Sequence, residues 1–191
     1  AMAHSGTVLD WSSARLPGEG SLRDLARFAV RVLDALDIER VHVVGHSMGA
    51  AIGARMALDH RARVASLSLI NPAGLGPEIN AGYIDGFVAA ESRRDLKPVV
   101  ELLFADPALV TRQLLDDLLK YKRIDGVGEV LSSLGQALFA EGRQREQPGV
   151  ELSATGVPVL VVWGREDRVI PPAQAATAPK GAKVEVIDGA G

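Results

Sequence analysis

Two periods alternate along the chain, and the switches between them mark its elements. Residues 7 to 11 (Thr-Val-Leu-Asp-Trp) have the make-up of a short strand, followed by a Pro/Gly-rich turn through Leu16, Pro17, Gly18 and Gly20. Ser21, with Asp24 three residues on, gives a capping-box-like start. Leu22, Leu25, Ala26, Ala29, Val32, Leu33 and Leu36 then recur at helical spacing, so the helix runs to about Asp37. Residues 40 to 45 predict a mostly buried β-branched strand, 48 to about 59 a helix rich in Ala and Gly, and 64 to 70 another strand ended by Asn71-Pro72-Ala73-Gly74. Such alternation of strand and helix favours a parallel sheet.

From about Gly76 to Gln147 the pattern changes. No strand is expected there, and three amphipathic helical stretches follow one another near 91 to 104, 108 to 123 and 127 to 141. Leu114, Leu115, Leu118, Leu119 and Tyr121 give the middle helix an apolar face, which helix packing explains most simply, and Asp106-Pro107 supplies a helix start. Strand signals return at 157 to 163 and at 183 to 187, after a Pro-initiated helix near 172 to 178. The expected organisation is a core built from 1–75 and 151–191, interrupted by a helical cap insertion at 76–150. The chain has no internal repeat and no low-complexity segment.

At 191 residues the chain can bury one real hydrophobic core. Its net charge of −3, with Lys and Arg spread along the sequence, leaves no basic stripe to neutralise phosphates, so nucleic acid is not an expected partner. Without cysteine there is no disulfide, thiolate nucleophile or Cys-based metal site. No apolar run approaches the roughly 18 to 20 residues of a membrane span, and residues 1 onward lack the layout of a secretion signal. A cytoplasmic protein without membrane attachment, metal or cofactor is the expectation.

Gly45-His46-Ser47-Met48-Gly49 fits G-x-S-x-G at a junction of predicted strand and predicted helix. A serine on so tight a turn has a strained backbone that side chains two positions either side would crowd, which explains glycine at 45 and 49. Ser47 would stand at the positive end of the following helix, with the Met48 amide directed at a developing oxyanion. Ala50 and Gly53 would let that helix lie close to the sheet. The bland alternative, a Gly-rich turn that binds phosphate or merely packs, lacks the Lys-Ser/Thr ending of a P-loop.

A serine of this kind needs a histidine to take its proton and a carboxylate to orient that histidine, in the chain order Ser, acid, His. Trp163-Gly164-Arg165-Glu166-Asp167 follows the strand at 157 to 163, which makes Asp167 the expected acid, with Glu166 and Asp188 as alternates. An acid after the preceding strand is excluded, since Asn71 occupies that tip. Of the four histidines, His46 is expected to line a pocket or pack, His42 lies inside a strand, His60 caps the far end of the helix after Ser47, and His4 is near the N-terminus. None follows Asp167. The closing Asp188-Gly189-Ala190-Gly191 is a turn whose next residue would be a natural place for the base.

The Gly-His-Ser-Met-Gly elbow, the Trp-Gly-Arg-Glu-Asp-Arg-Val-Ile-Pro loop and the closing Asp-Gly-Ala-Gly together resemble the α/β-hydrolase superfamily over most of the chain. The resemblance implies an α/β-hydrolase fold: a mostly parallel sheet with helices on both faces and an inserted helical cap. Within that family, the run beginning Asn71-Pro-Ala-Gly-Leu-Gly-Pro and the segment Gly86-Phe-Val-Ala-Ala-Glu-Ser-Arg-Arg-Asp-Leu-Lys-Pro resemble the hydrolase-fold domain of the acetoin dehydrogenase complex's dihydrolipoamide acetyltransferase component. It further implies a histidine directly after Gly191 and, before residue 40, a strand with a His-Gly oxyanion loop; neither that strand nor that loop is recognisable here. The expectation is a domain lacking N-terminal strands and its C-terminal end, whose unpaired central strand would invite aggregation or pairing with another chain unless another segment covers it.

The implied function is acyl transfer through a Ser47 acyl-enzyme on a small-molecule acyl substrate. Passing the acyl group to water would make an ester or thioester hydrolase, and passing it to dihydrolipoamide an acyltransferase within a multienzyme complex; a homo-oligomer is the other assembly considered. A noncatalytic α/β-hydrolase-fold module, with Ser47 inert for want of a base, is the alternative. A dinucleotide-binding module is disfavoured, since no G-x-G-x-x-G follows a strand.

Overall fold

The computed structural model describes residues 18–191. The strand expected at 7 to 11, the start of the turn after it, and His4 lie outside the described residues.

Ser21 caps helix α1 (Leu22–Ala35): its hydroxyl accepts from the Asp24 amide at 3.2 Å and donates to the Asp24 carboxylate at 2.8 Å. The Ser21 hydroxyl, with the Glu19 amide, holds Asp24 below the usual carboxylate range. Leu22, Ala26 and Val30 form the buried stripe, whereas Leu36 stays exposed past the helix end. Strand β1 (Val41–His46) follows, then α2 (Met48–Asp59) and β2 (Val64–Ile70). Residues 157 to 163 supply strand β5 (Val159–Gly164), and Lys183–Ile187 forms β6. The intervening labels belong to a hairpin, β3 (Phe139–Ala140) and β4 (Arg143–Gln144).

The main sheet is wholly parallel, in the order β1-β2-β5-β6. Helix α2 lies against the face that carries Val43 and Leu67. A Cβ built on Gly53 would come 2.9 Å from Val43 Cγ1, so this close approach depends on the missing side chain. Trp163, Leu67, Leu69 and Val161 are almost wholly buried in the core that α1 and α2 complete.

Strand β1 departs from the sequence expectation of a mostly buried strand. Only Gly45 is buried, His42, Val44 and His46 are exposed, and Val44 retains 69 % of its surface. A β-branched run shows strand propensity, but burial depends on what lies beside and over the strand. Among the described residues, β1 is an edge strand with α2 over one face only.

Between β2 and β5 lie α3 (Ala81–Ala89), α4 (Arg93–Val100), α5 (Arg112–Lys122) and α6 (Val127–Leu138). The first expected helix is shorter than its pattern, because α4 gives way to a 3-10 turn at Glu101–Leu103. Helix α3 was not predicted: Gly82 and Gly86 dilute its pattern, although Asn80 caps it by accepting from the Tyr83 amide at 3.2 Å. The expectation of no strand in this segment also fails, for the β3–β4 hairpin cuts the last helix short of 141. Glu141 and Gly142, both at positive φ (51° and 72°), make its two-residue turn. Ala90, Leu96, Val100, Leu115 and Leu119 form a second small core, while Tyr121 from the predicted apolar face is half exposed. The Pro-initiated stretch at Pro172–Thr177 is a 3-10 helix. No helix among the described residues is long and apolar enough to cross a membrane.

Candidate active site

In-register pairing brings the carboxyl ends of the strands level. His46 pairs with Ile70, and Ile70 with Val162. Hydrogen bonds continue along this edge past the strands: Ser47 N–H to the Ile70 carbonyl (3.0 Å), Asn71 N–H to the Val162 carbonyl (2.9 Å), Gly164 N–H to Asn71 Oδ1 (2.9 Å) and Glu166 N–H to the Ala190 carbonyl (2.9 Å). Ser47 and the loop carrying Asp167 therefore share one rim, separated by two strand spacings, about 10 Å.

Ser47 has φ 51° and ψ −121°, a left-handed conformation that costs of order 1–3 kcal/mol for a residue with a side chain. The surroundings hold it there. Its carbonyl accepts from the Ala50 and Ala73 amides at 3.0 and 3.1 Å, while its own amide is fixed by Ile70. Gly45 makes the bend possible, because a Cβ at that position would stand 2.5 Å from the Gly49 carbonyl oxygen and 2.7 Å from the backbone of Ala50. Those atoms are backbone and cannot step aside. Gly45→Ala is therefore expected to destabilise the protein by about 3 kcal/mol or more, read as a fall in the urea midpoint. Gly49 differs: apart from its own helix and chain neighbours, no atom of the described residues lies within 4 Å of a Cβ built there, so no crowding by another segment is seen.

Met48 is the first residue of α2, so its amide points out of the helix with no carbonyl to receive it. No backbone acceptor outside the helix takes it either among the described residues. That N–H, at the positive end of a 12-residue helix, is suited to a developing negative charge. His46 is exposed and does not line the small cavity beside Met48, so its expected pocket-lining place has no support among the described residues.

The three candidate acids separate clearly. Asp167 is half-buried and anchored on both oxygens: Oδ1 accepts from the Val169 and Ile170 amides at 2.8 and 2.9 Å, and Oδ2 from the Trp163 indole at 3.2 Å. Glu166 is exposed. Asp188 is exposed and paired with Arg165, whose guanidinium it pushes above its usual pKa through the hydrogen bond and the charge. Among the histidines, His42 bonds Ser66 Oγ at 2.7 Å on the exposed strand, and His60 ends α2, about 18 Å along the helix from Ser47. Neither can serve Ser47.

Two side chains to which the sequence assigned no part in the site hold the rim. Asn71, at φ 40°, clips the tip of β2 to that of β5 through its side-chain oxygen. Gln144 in β4, only 5 % exposed, accepts from the Gly74 amide at 2.7 Å and donates to the Glu78 carbonyl at 3.1 Å. Since Ala73 bonds Ser47, Gln144 connects the hairpin to the elbow through two residues of loop. A helix-breaking Asn-Pro after a strand was legible for Asn71; nothing local marked Gln144.

A family model for the alpha/beta hydrolase fold matches residues 9–191, and the chain belongs to that family. It is 56 % identical over 180 residues to the dihydrolipoyllysine-residue acetyltransferase component of the acetoin cleaving system of Cupriavidus necator, covering 94 % of this chain and 48 % of the relative. It is 33 % identical over 175 residues to a 2-hydroxy-6-oxononadienedioate/2-hydroxy-6-oxononatrienedioate hydrolase of Paraburkholderia xenovorans, covering 85 % of this chain and 59 % of that one. The chain thus spans about half the length of these curated relatives. Among solved structures, a meta-cleavage product hydrolase from Pseudomonas fluorescens superposes with a TM-score of 0.78 at 24 % identity, over 90 % of this chain and 64 % of the other. That last likeness concerns the fold alone.

Proposed function

We propose that this chain carries the nucleophile and acid of a serine acyl-transfer site, under a cap formed by residues 76–150. The observation that carries the reading is the strained Ser47, fixed at the sheet rim beside a Met48 amide that has no partner among the described residues, with an anchored Asp167 on the same rim. Ser47 Oγ attacks the acyl carbonyl and gives its proton to a histidine base, while the oxyanion forms against the Met48 N–H. Collapse breaks the bond to the leaving alcohol or thiol, which takes that proton and leaves the acyl group on Ser47. An acceptor then attacks the acyl-enzyme, the base removes its proton, and Ser47 is regenerated. Asp167 orients the base and stabilises its charged form.

The base is placed in this scheme directly after Gly191. A Cβ built on Gly191 would lie 2.9 Å from the Glu166 carbonyl, so a residue following it would emerge beside the acid loop. The acceptor is a thiol of a lipoyl group in an acetoin-cleaving assembly, on the strength of the 56 % identical relative; water is the acceptor favoured by the relatives named as hydrolases.

Incubating the full-length protein with a fluorophosphonate tests the scheme. One phosphonyl group per chain, on the peptide containing Ser47, is the expected mass-spectrometric result. An unlabelled Ser47 would mean an inert fold, which is what a noncatalytic module predicts.

A further inference from the structure

We propose that Arg168, the residue after the candidate acid, is a positioning residue: its guanidinium binds the turn at 101–104 of the helical segment to the loop of Asp167, so that acid and segment are held in one arrangement. The proposal rests on the acyl-transfer reading above and adds to it a residue that acts through Asp167 without touching substrate.

Two ties join the acid loop to the helical segment. The backbone that anchors Asp167 is itself held: the Val169 and Ile170 amides donate to Asp167 Oδ1, and the Arg168 and Val169 carbonyls accept from Asn80, from its side-chain Nδ2 and its amide, at 2.9 Å each. Asn80 also caps α3, so the first helix of the segment starts from the acid loop. Arg168 makes the second tie. Its Nη2 donates to the Glu101 carbonyl and, at 2.8 Å, to the Phe104 carbonyl. These carbonyls close the 3-10 turn that ends α4, where helix carbonyls lack partners and carry partial negative charge, so a guanidinium fits them better than an uncharged donor.

The turn that Arg168 grips is where the two cores meet. Leu102 and Leu103 pack on the main core and Phe104 on the second, smaller one. The next residue, Ala105, has its amide 3.0 Å from a Cβ built on Gly191, whose other near neighbour is the Glu166 carbonyl at 2.9 Å. Gly191 thus lies between the acid loop and this turn, and the base placed after it in the scheme would emerge there. Asn80 fixes the backbone of the loop, and Arg168 fixes the turn that stands against it. Arg168 is otherwise exposed, so its removal leaves no buried gap. Losing the guanidinium frees the turn from the loop, and a misplacement of about 1 Å at the reacting groups costs about 10² in rate.

The test compares Arg168→Ala with Arg165→Ala, which removes an exposed arginine of the same loop whose partner is Asp188. In the full-length protein, kcat for p-nitrophenyl acetate is expressed per Ser47 that takes a fluorophosphonate, which leaves unfolded chains out of the count. Arg168→Ala is expected to lower this kcat at least about tenfold with KM nearly unchanged, Arg168→Lys to lower it less, and Arg165→Ala to stay within about twofold. Hydrogen exchange of the Val169 and Ile170 amides is expected to quicken in Arg168→Ala and not in Arg165→Ala. A kcat for Arg168→Ala within about twofold of the unaltered protein's overturns the proposal. So does an equal loss in the two alanine variants, which would assign the effect to charge, or a loss in Arg168→Ala without faster exchange. If Ser47 of the unaltered protein takes no label and no ester is turned over, the nucleophile reading itself has failed and this proposal falls with it.

Discussion

Ser47→Ala is expected to lower ester turnover by the full-length protein by about a millionfold, with little effect on the fold. The size follows from removing the group that forms the covalent intermediate in the proposed scheme. What remains is water attacking a substrate still held and polarised by the oxyanion donors, which preserves about 10³–10⁴ of the enhancement over solution. The fold should hardly notice. The Ser47 side chain makes no capping bond to α2, and alanine meets the same backbone strain at φ 51° as serine does. A stability change within about 0.5 kcal/mol, from urea unfolding, separates loss of chemistry from loss of structure.

Asp167→Asn is the second large effect, an expected drop of about 10⁴ in kcat. The carboxylate is oriented before any base arrives. Oδ1 is taken up by the Val169 and Ile170 amides, and Oδ2 receives the Trp163 indole N–H, leaving lone pairs on Oδ2 for an imidazole. Asparagine can keep the two backbone bonds with its carbonyl oxygen, but its NH₂ then faces the indole donor and cannot accept from the base. The histidine would lose the partner that fixes its tautomer. A fall in kcat with KM nearly unchanged is the expected signature, and Asp188→Asn, at the exposed alternate site paired with Arg165, is expected to leave kcat within about twofold. Equal losses from both substitutions would reassign the acid.

Much of this arrangement could be read from the sequence because its causes are local. Ser21 and Asp24 announce α1, Gly45 announces a bend that tolerates no side chain, and Asp167 follows a strand at the edge where parallel sheets place their sites. Other features rest on contacts between distant segments. Gln144 reaches Gly74 across 70 positions, so no window of sequence contains both. The hairpin is too short for alternation to show; its only mark is Gly142 after Glu141, where both residues take positive φ. Val44 misled because β-branched residues signal a strand whether or not anything covers it. At Gly45 an added side chain would meet backbone atoms of α2, whereas at Gly49 no segment outside its own helix comes that close among the described residues; only the structure distinguishes the two.

A crystal structure of the full-length protein after reaction with a fluorophosphonate would show which side chain is the nucleophile and what stands beside it. Expected are phosphorus on Ser47 Oγ, the phosphoryl oxygen about 3 Å from the Met48 amide, and an imidazole between the adduct and the Asp167 carboxylate. Phosphorus on another side chain would remove Ser47 as the nucleophile, and an Asp167 carboxylate with no imidazole against it would remove Asp167 as the acid.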